Sequence, residues 1–342
     1  MRTILEGEDC NKWTCTKFLF GEDIVRAYGE CPKCGAPMTF LKDPWQTERA
    51  GGADAVSNSK SCFMLRCTRR PACKTKRSVF KGSMFFRTKL PISDVVQFFH
   101  LWLCKTDRVA VSGILGWSEK TVIKMQMMMR EIVSGHLYTE ISVGEDDEYP
   151  EDHTMIGGPG IEVQIDESAF GKRKYNRGHF VATKWVVGGV EILADRHGRK
   201  RSGKVFFVVV PNRTMATLNE VITKHVRRGT HIVTDCWAGY ARLNQLGYTH
   251  TRVNHSRFYV DPETRMHTNT IEGKWNGVKV TVPKQAYRTP YVLQTYLGAV
   301  MWRTKYKRDL WKALLDALRC DSEWKLLHPG VPYMPFMYCR PT

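Results

Sequence analysis

The sequence predicts an α/β protein in which a mixed five-stranded sheet with helices follows a cysteine-rich region and a helical region. Three observations support this architecture. Most of the 11 cysteines lie before residue 90. Between residues 91 and 140, apolar side chains recur at the spacing of an amphipathic helix. From residue 161 the pattern changes to the alternation of apolar and polar residues that is typical of a half-buried strand.

The elements after residue 161 follow one another in an informative order. Strands are predicted at residues 161–166, 184–193, 204–210, 231–235 and 250–253. Helices are predicted at residues 214–226, 237–246 and 270–280, with two more between 290 and 320. Three adjacent strands followed by alternating helices and strands match the ribonuclease H-like fold.

The chain therefore divides into five parts. We expect a zinc-ribbon-like region (1–90), a helix-turn-helix-like region (91–142), an acidic, Gly- and Pro-rich linker (143–160), a ribonuclease H-like catalytic domain (161–305) and a C-terminal helix with a tail (306–342).

The charge of the chain predicts a polyanionic partner. There are 52 Lys and Arg against 34 Asp and Glu, a formal net charge of +18. Because neutralising phosphates releases counterions, such an excess favours double-stranded DNA. The longest apolar run, residues 205–210, is too short to span a membrane, and the first residues contain no apolar signal core. We therefore expect a reducing location without a membrane partner, where clustered cysteines bind zinc more often than they form disulfides.

Three acids occupy matched positions in the predicted topology. Asp166 lies on the first strand, Asp235 follows the fourth strand, and Glu272 lies on the helix after the fifth. Cleavage and joining of phosphodiesters can be carried out by two divalent ions bound to such carboxylates. Mg²⁺, or Mn²⁺, suits hard oxygen ligands. The triad is thus the predicted catalytic and metal-binding site.

Glu167 and Lys279 are further candidates for the site because they lie close to the triad in the predicted structure. Glu167 is excluded because strand alternation turns it to the opposite face. Lys279, seven residues after Glu272, shares a helix face with it and could hold a terminal DNA phosphate. A solvated surface lysine is an equal alternative. His255 and His267, in the loop before Glu272, could contact DNA or take part in proton transfer.

The cysteines of the first 90 residues predict a zinc site. Cys31 and Cys34 have the spacing of a zinc knuckle. The second pair of zinc ligands has an unusual spacing. Cys67 and Cys73 are farther apart in the sequence than such pairs usually are, and Cys62 could replace Cys67. Buried or free thiols are the alternative for this pair. Residues 46–60, between the two pairs, are interpreted as a flexible loop.

The helical region predicts a DNA-reading module. Ser93 is expected to cap a first helix, residues 108–115 to form a short second helix ending at Gly116, and Ser118 to cap a third. The first turns of the third helix would present Lys120, Thr121 and Lys124 to base edges. An ordinary three-helix bundle is the alternative. The basic loop after the first acid is expected to touch phosphates through Lys172, Arg173, Lys174 and Arg177.

Several long blocks resemble the Merlin superfamily of DNA transposases and related bacterial insertion-sequence transposases. They are residues 166–178 (DESAFGKRKYNRG), 234–240 (TDCWAGY), 253–256 (VNHS) and 267–275 (HTNTIEGKW). Weaker similarity reaches back to about Cys31 and favours Cys67 and Cys73 as the second zinc pair. The basic segment 196–204 and the tail after Cys320 are not covered.

The resemblance implies a cut-and-paste transposase with a DDE triad at Asp166, Asp235 and Glu272. It would bind terminal inverted repeats, excise the element and join its 3′ ends to target DNA. A homodimer or larger assembly on DNA is expected, located in the nucleus of a eukaryotic host or otherwise on cytoplasmic DNA. The alternatives are a domesticated DNA-binding protein derived from a transposase, and a metal-dependent nuclease of the same fold.

Overall fold

The computed structural model of the protein describes residues 11–139, 155–171, 183–253 and 267–327. The chain divides into two compact units. The first comprises Met1–Ile132 and Asp309–Tyr333, and the second comprises Val133–Arg308 and Met334–Thr342. Among the described helices, none combines the length and apolarity that crossing a membrane requires.

The first unit contains a small antiparallel sheet. Strands β1 (Met38–Phe40), β2 (Met64–Cys67) and β3 (Lys76–Ser78) lie in the order β1-β2-β3. Helix α1 (Lys12–Gly21) precedes the sheet, and helix α2 (Pro44–Ser57) and a 3₁₀ helix (Lys60–Phe63) connect β1 to β2. The completely buried indole of Trp13 contacts the rings of Phe20, Trp45 and Phe63 edge-on. An aromatic cluster thus packs α1 against this connection.

The interpretation of residues 46–60 as a flexible loop is wrong, because α2 occupies most of them. Asp43 caps the helix by accepting hydrogen bonds from the amides of Trp45 and Gln46, and Pro44 stands in its first turn. The helix is kinked at Gly51 and Gly52, where Gly52 has a φ of 75°. The two glycines interrupt the apolar periodicity from which a helix is recognised.

Four helices complete the first unit, although one continues into the second. They are α3 (Ile92–Leu103), α4 (Arg108–Leu115), α5 (Glu119–Thr139) and, much later in the chain, α9 (Leu310–Leu327). Helix α4 has the predicted bounds and ends at Gly116 with a φ of 64°. Ser118 caps α5 as predicted, its Oγ accepting the Thr121 amide at 3.2 Å. The predicted cap at Ser93 is wrong: α3 starts after Pro91, and Ser93 lies inside the first turn.

The second unit contains the predicted mixed five-stranded sheet. Its strands are β4 (Glu162–Phe170), β5 (Lys184–Ala194), β6 (Lys200–Val210), β7 (His231–Asp235) and β8 (Thr249–Val253). They lie in the order β6-β5-β4-β7-β8. The pairs β6–β5 and β5–β4 are antiparallel, whereas β4–β7 and β7–β8 are parallel. Strand β6 begins at Lys200 rather than at Lys204, so the basic segment forms part of a hairpin.

Three helices of this unit come after strands of the sheet in the sequence. They are α6 (Met215–His225), α7 (Asn269–Thr281) and α8 (Pro290–Lys305). The helix predicted over residues 237–246 is instead two 3₁₀ turns, Ala238–Tyr240 and Leu243–Leu246. The first of these turns packs closely against α6, since a Cβ at Gly239 would lie 2.6 Å from a Leu218 methyl.

Two buried side chains attach α7 to β4. The carboxamide oxygen of Gln164, which is fully buried, accepts the backbone N–H groups of Thr270 and Ile271 at 3.1 and 3.3 Å. These amides belong to the first turn of α7, where no carbonyl of the helix itself can reach them. One turn further on, the indole of Trp275 lies over Gly188 of β5. The sheet therefore determines where α7 begins and which side of it faces the strands.

The space at Gly188 gives a test of this packing. A Cβ at this position would lie 2.7 Å from both Trp275 and Phe207. We expect Gly188→Ala to lower the free energy of unfolding by about 1–3 kcal/mol through overpacking. Gly277→Ala is the control, because this helical glycine has no atom within 4 Å of its Cβ position. It should stabilise α7 by roughly 0.5–1 kcal/mol. Equal urea midpoints for the two variants would contradict the packing described.

Candidate functional site: an acidic cluster and a four-cysteine centre

The parallel pairing of β4 and β7 brings two of the predicted acids together. The last paired positions are Gln164 and Val233, and the same register two residues further on places Asp166 beside Asp235. Their carboxylates are close enough for the charge of Asp235 to raise the pKa of Asp166. Two acids that are 69 residues apart in sequence thus share one face of the sheet.

Asp166 is held by two hydrogen bonds. Its Oδ1 accepts the backbone N–H of Glu167 at 2.8 Å, and its Oδ2 accepts the indole N–H of Trp275 at 3.0 Å. Burial raises the pKa of Asp166 to about 6, with further contributions from the charges of Glu167 and Asp235 that outweigh the two hydrogen bonds. The carboxylate is therefore oriented but electrostatically disfavoured, a condition that a bound cation would relieve.

Asp235 ends β7 and begins the turn after it. Its Oδ1 accepts the backbone N–H of Trp237 at 2.9 Å. The carboxylate keeps partial exposure to solvent, as does that of Asp166. Both groups can therefore be reached from outside while their orientations are fixed by backbone amides.

Glu272 lies in the first turn of α7 and is exposed. Its Oε1 accepts a hydrogen bond from the Thr268 hydroxyl at 3.2 Å. It precedes Trp275 by three residues, so both project from the same side of the helix. Because Trp275 donates to Asp166, the third predicted acid belongs to the helix that contacts the first.

Glu167 forms a separate network that the sequence did not indicate. Its side chain is only 4% exposed and pairs with Arg213 at 3.1 Å. The Tyr240 hydroxyl donates to its other oxygen at 2.5 Å. Burial and the charge of Glu167 raise the pKa of Tyr240 well above its usual value, so this hydroxyl keeps its proton. Its partners differ from those of Asp166, in agreement with the predicted alternation.

Arg213 joins this network to two tryptophans. The centre of its guanidinium lies 3.8 Å from the ring centroid of Trp185 and 4.8 Å from that of Trp237. Both distances suit cation–π contacts. No motif spacing could have revealed the group, because Glu167, Arg213 and Tyr240 are far apart in the chain and meet only in the folded sheet.

The remaining predicted contact residues are less closely grouped. Lys279 is exposed, with its ammonium 5.7 Å from the centroid of the Phe170 ring. On the first turns of α5, Lys120 and Lys124 are exposed, whereas the Thr121 hydroxyl contacts that of Ser118 at 2.9 Å. His267 Nδ1 lies 3.4 Å from the side-chain nitrogen of Gln164. Five other predicted residues lie outside the described ranges: Lys172, Arg173, Lys174, Arg177 and His255.

Four cysteines of the first unit converge on one point. The sulfurs of Cys31, Cys34, Cys67 and Cys73 all lie within 4.8 Å of one another. The sulfurs of Cys31 and Cys73 are 3.6 Å apart, and those of Cys34 and Cys67 are 3.5 Å apart. Four thiolates are the usual donor set of a structural zinc site. The group could therefore hold one metal ion such as zinc.

The surroundings of the cysteines differ: hydrogen bonds favour the thiolate of Cys31, whereas burial raises the pKa of Cys67 to about 12. The carbonyl of Cys31 accepts the amides of Cys34 and Gly35, and Gly35 adopts a φ of 68° that closes the turn. Burial opposes ionisation of Cys31, but backbone hydrogen bonds from Lys33 and Cys34 outweigh it and lower its pKa to about 6. The amide of Arg69 donates to the Cys67 sulfur at 3.4 Å.

Cys62 does not belong to the centre. Its buried thiol contacts the Thr47 hydroxyl at 3.6 Å instead. The ambiguity between Cys62 and Cys67 is thus resolved by β2, whose last residue is Cys67. Cys15 is buried on α1, and Cys10 lies outside the described residues.

Comparison with known proteins defines the class to which this chain belongs. Residues 152–305, which include all three predicted acids, match the ISXO2-like transposase domain. An uncharacterized transposase-like protein of Haemophilus influenzae is 32% identical over 100 residues, which are 29% of this chain and 80% of that protein.

The chain belongs to the transposases of the insertion-sequence type, and its residues 152–305 are similar to the ISXO2-like transposase domain. Its role is accordingly in DNA transposition, and its family is one of DNA-cleaving enzymes. The resemblance to bacterial insertion-sequence transposases is confirmed, and likeness to the Merlin superfamily stays a prediction.

The cysteine centre leads to a prediction for metal content. We expect the purified full-length protein to contain about one Zn²⁺ per chain, and Cys34→Ser to lose it because three thiolates bind zinc more weakly than four. Cys62→Ser is the matched control, since its thiol lies outside the cluster. Metal analysis after gel filtration measures both. Retention of zinc by Cys34→Ser would show that the metal lies elsewhere.

The pKa of Asp166 leads to a second prediction. Folding raises this pKa from an unfolded value near 3.9 to about 6, so the folded state binds the proton more tightly. The resulting stabilisation is complete below about pH 4 and is lost as the pH rises through about 6. Asp166→Asn cannot titrate but keeps only one acceptor for the two N–H donors, so the informative quantity is its difference from the wild type at two pH values. In buffer without added divalent ions, raising the pH from 4 to 7.5 should shift the difference in the free energy of unfolding in favour of Asp166→Asn by on the order of 1 kcal/mol.

The difference measured at pH 4 is the reference for this shift. Glu220→Gln, which removes an exposed carboxylate on α6, controls for the loss of one negative charge. A difference between Asp166→Asn and the wild type that stays constant from pH 4 to pH 7.5 would contradict the electrostatic description of the site.

Proposed function

We propose that the protein is a cut-and-paste transposase of the DDE type, in which Asp166, Asp235 and Glu272 bind two divalent metal ions, Mg²⁺ or Mn²⁺. The observation that carries the proposal is the parallel pairing of β4 and β7, whose register, continued by two residues, brings Asp166 beside Asp235, together with the effect of the Asp235 charge on the pKa of Asp166. The hydrogen bond from Trp275 to Asp166 adds the helix that bears Glu272.

The sheet supports a ribonuclease H-like fold for this domain. In chain order, its strands are arranged as third, second, first, fourth and fifth, and only the second runs against the others. The first strand and the fourth are neighbours, and each contributes one aspartate. This is the topology that the order of strands and helices predicts for that fold.

The three acids offer the oxygen ligands that Mg²⁺ prefers. Bound there, the ions would supply an activated water or 3′-hydroxyl and a stabilised leaving oxygen. The protein's own residues orient the ligands: Trp275 and the Glu167 amide hold Asp166, and the Trp237 amide holds Asp235. The crowding of negative charge around Asp166 supports a cation-binding role for the site.

The first unit supplies DNA recognition in this proposal. The four-cysteine centre would be a zinc ribbon with structural zinc, and α3, α4 and α5 a helix-turn-helix. Exposed Lys120 and Lys124, with Thr121 between them, would face base edges of the terminal inverted repeats.

Further contacts to DNA are proposed in the catalytic domain. Lys279 would hold the terminal phosphate of the element. Lys172, Arg173, Lys174 and Arg177 would contact other phosphates. Because two ends must be held together before they are joined, the active form would be a homodimer or larger assembly on DNA.

Membership of the Merlin superfamily is proposed on the sequence blocks around the three acids. With it goes a nuclear location in a eukaryotic host, or a location on cytoplasmic DNA in a bacterium.

One assay tests the proposed reaction. The protein is mixed with a labelled inverted-repeat end, Mg²⁺ and a target plasmid. We expect the wild type to cut and join the end, and Asp166→Asn, Asp235→Asn and Glu272→Gln to bind the end without joining it. Removing a ligand of the metal site should lower the rate about a thousandfold or more, since such ions contribute several kcal/mol to transition-state stabilisation. Glu220→Gln is the control and should keep its activity.

The outcomes separate the alternatives. Substantial joining by Asp166→Asn would contradict the assignment of the active site. Binding of the end without cutting by the wild type would indicate a domesticated DNA-binding protein. Cutting of any DNA, without joining, would indicate a nuclease of the same fold.

A further inference from the structure

The basic segment that has no place in the proposed reaction forms the tip of a β-hairpin. Strands β5 and β6 are joined by residues 195–199. The turn is closed by the bond from the Asp195 amide to the Arg199 carbonyl at 3.0 Å. The Asp195 carboxylate accepts the amides of His197 and Arg199 at 2.8 and 2.9 Å, and Gly198 has a φ of 74°. These hydrogen bonds therefore hold residues 195–199 in one ordered turn conformation.

The hairpin tip carries a concentrated positive charge. Its five cationic side chains are all exposed: Arg196, Arg199, Lys200, Arg201 and Lys204. Asp195 is the only acid between residues 192 and 204, and one of its oxygens is occupied by backbone amides. Lys200 pairs with Glu162 at 2.8 Å. Within the described ranges, no salt bridge involves the other four, so their charge is available to an external anion.

The cations lie on both faces of this two-stranded ribbon. Lys200 is on the same face as Glu162, with which it pairs, and as Ser202, whose hydroxyl accepts a hydrogen bond from Lys274 of α7 at 3.0 Å. Strand alternation turns Arg201 to the other face, whereas Arg196 and Arg199 belong to the turn at the tip. Because Lys200 is paired, the charge available to phosphates is that of the tip and of the face that carries Arg201.

The strand register gives the distance from the base of the hairpin to the acids, and Arg199 lies three residues, or about 10 Å, beyond that base. Asp166 lies opposite Gly188, which lies opposite Phe207, whereas Glu162 lies opposite Ile192, which lies opposite Ser202. The two rows are four residues apart, or about 13 Å along the strands. One turn of B-DNA is about 34 Å long, so a duplex that reaches the acids can also reach the hairpin.

We propose that the β5–β6 hairpin is a DNA-binding ribbon that lies in the major groove of the duplex next to the reacting phosphate, with Arg199 and Arg201 on the phosphates of the groove walls. The major groove admits a two-stranded β-ribbon, and the basic tip complements the charge of its walls. The ligand is the duplex backbone, whether of the element end or of target DNA. The inference rests on the proposed function, because it assigns a role near the same acids.

The test measures binding separately from cleavage. Full-length protein is titrated in buffer without added divalent ions against two 40-bp duplexes, followed by fluorescence anisotropy at several salt concentrations. One duplex carries the terminal inverted repeat and the other a scrambled sequence. The variant is Arg199→Gln with Arg201→Gln. The control is Arg227→Gln with Arg228→Gln, which removes two arginines that follow α6, on the far side of β4.

We expect the hairpin variant to bind at least about tenfold more weakly at 0.1 M salt. Its plot of log K against log salt should be shallower by roughly 1.8, since each lost phosphate contact contributes about 0.9. The control should change the slope little. A loss with the repeat duplex alone assigns the hairpin to the element end. An equal loss with both duplexes assigns it to DNA of any sequence, which includes the target.

A hairpin variant that keeps wild-type affinity and slope with both duplexes would overturn the proposal. Arg199→Lys with Arg201→Lys should restore most of the slope, because phosphates accept either cation; failure to restore it would overturn the assignment to phosphates. If the wild type bound neither duplex, the proposed function itself would fail. Melting temperatures equal to that of the wild type show that each variant is folded.

Discussion

Two side chains attach helix α7 to strand β4, one as a hydrogen-bond acceptor and the other as a donor. Gln164 accepts the first free amides of the helix, and Trp275 donates to Asp166. Both bonds join segments more than 100 residues apart, and the side chains of Gln164 and Trp275 are buried, so their polar atoms could not turn to solvent without moving the helix. The position of Glu272, the accessibility of Asp166 and the packing at Gly188 all depend on this attachment.

The two faces of the sheet near Asp166 differ in how their acidic side chains are paired. On one face of the sheet, Asp166 and Asp235 are left without a cationic side chain among the salt bridges of the described residues. On the other, Glu167 is neutralised by Arg213 and hydrogen-bonded by Tyr240. Arg213 is in turn stacked on two indoles. The protein thus gives Glu167 a cationic partner and, among the described residues, leaves Asp166 and Asp235 without one, although Asp166 is also partly buried.

Much of this architecture could be predicted from the sequence, because the pattern of the second unit is regular. Each strand of its sheet was predicted, and the order of elements is also the basis on which the three acids are proposed as a site. The predictions failed where local signals were interrupted or absent. Two glycines hid helix α2, and two 3₁₀ turns replaced the helix predicted after Asp235. The Glu167, Arg213 and Tyr240 network and the choice of Cys67 over Cys62 depend on strand pairing, which spacing along the chain does not contain.

The four-cysteine centre also contains sulfurs that can react with metal ions or with oxidants. The sheet around it has strands of only three or four residues, so it offers little apolar burial of its own. The pairs Cys31–Cys73 and Cys34–Cys67 have sulfurs 3.6 and 3.5 Å apart. Sulfurs this close could hold a metal ion or be oxidised to disulfides. Metal supply and oxidants would then act on the same four sulfurs, so the integrity of this module would depend on both.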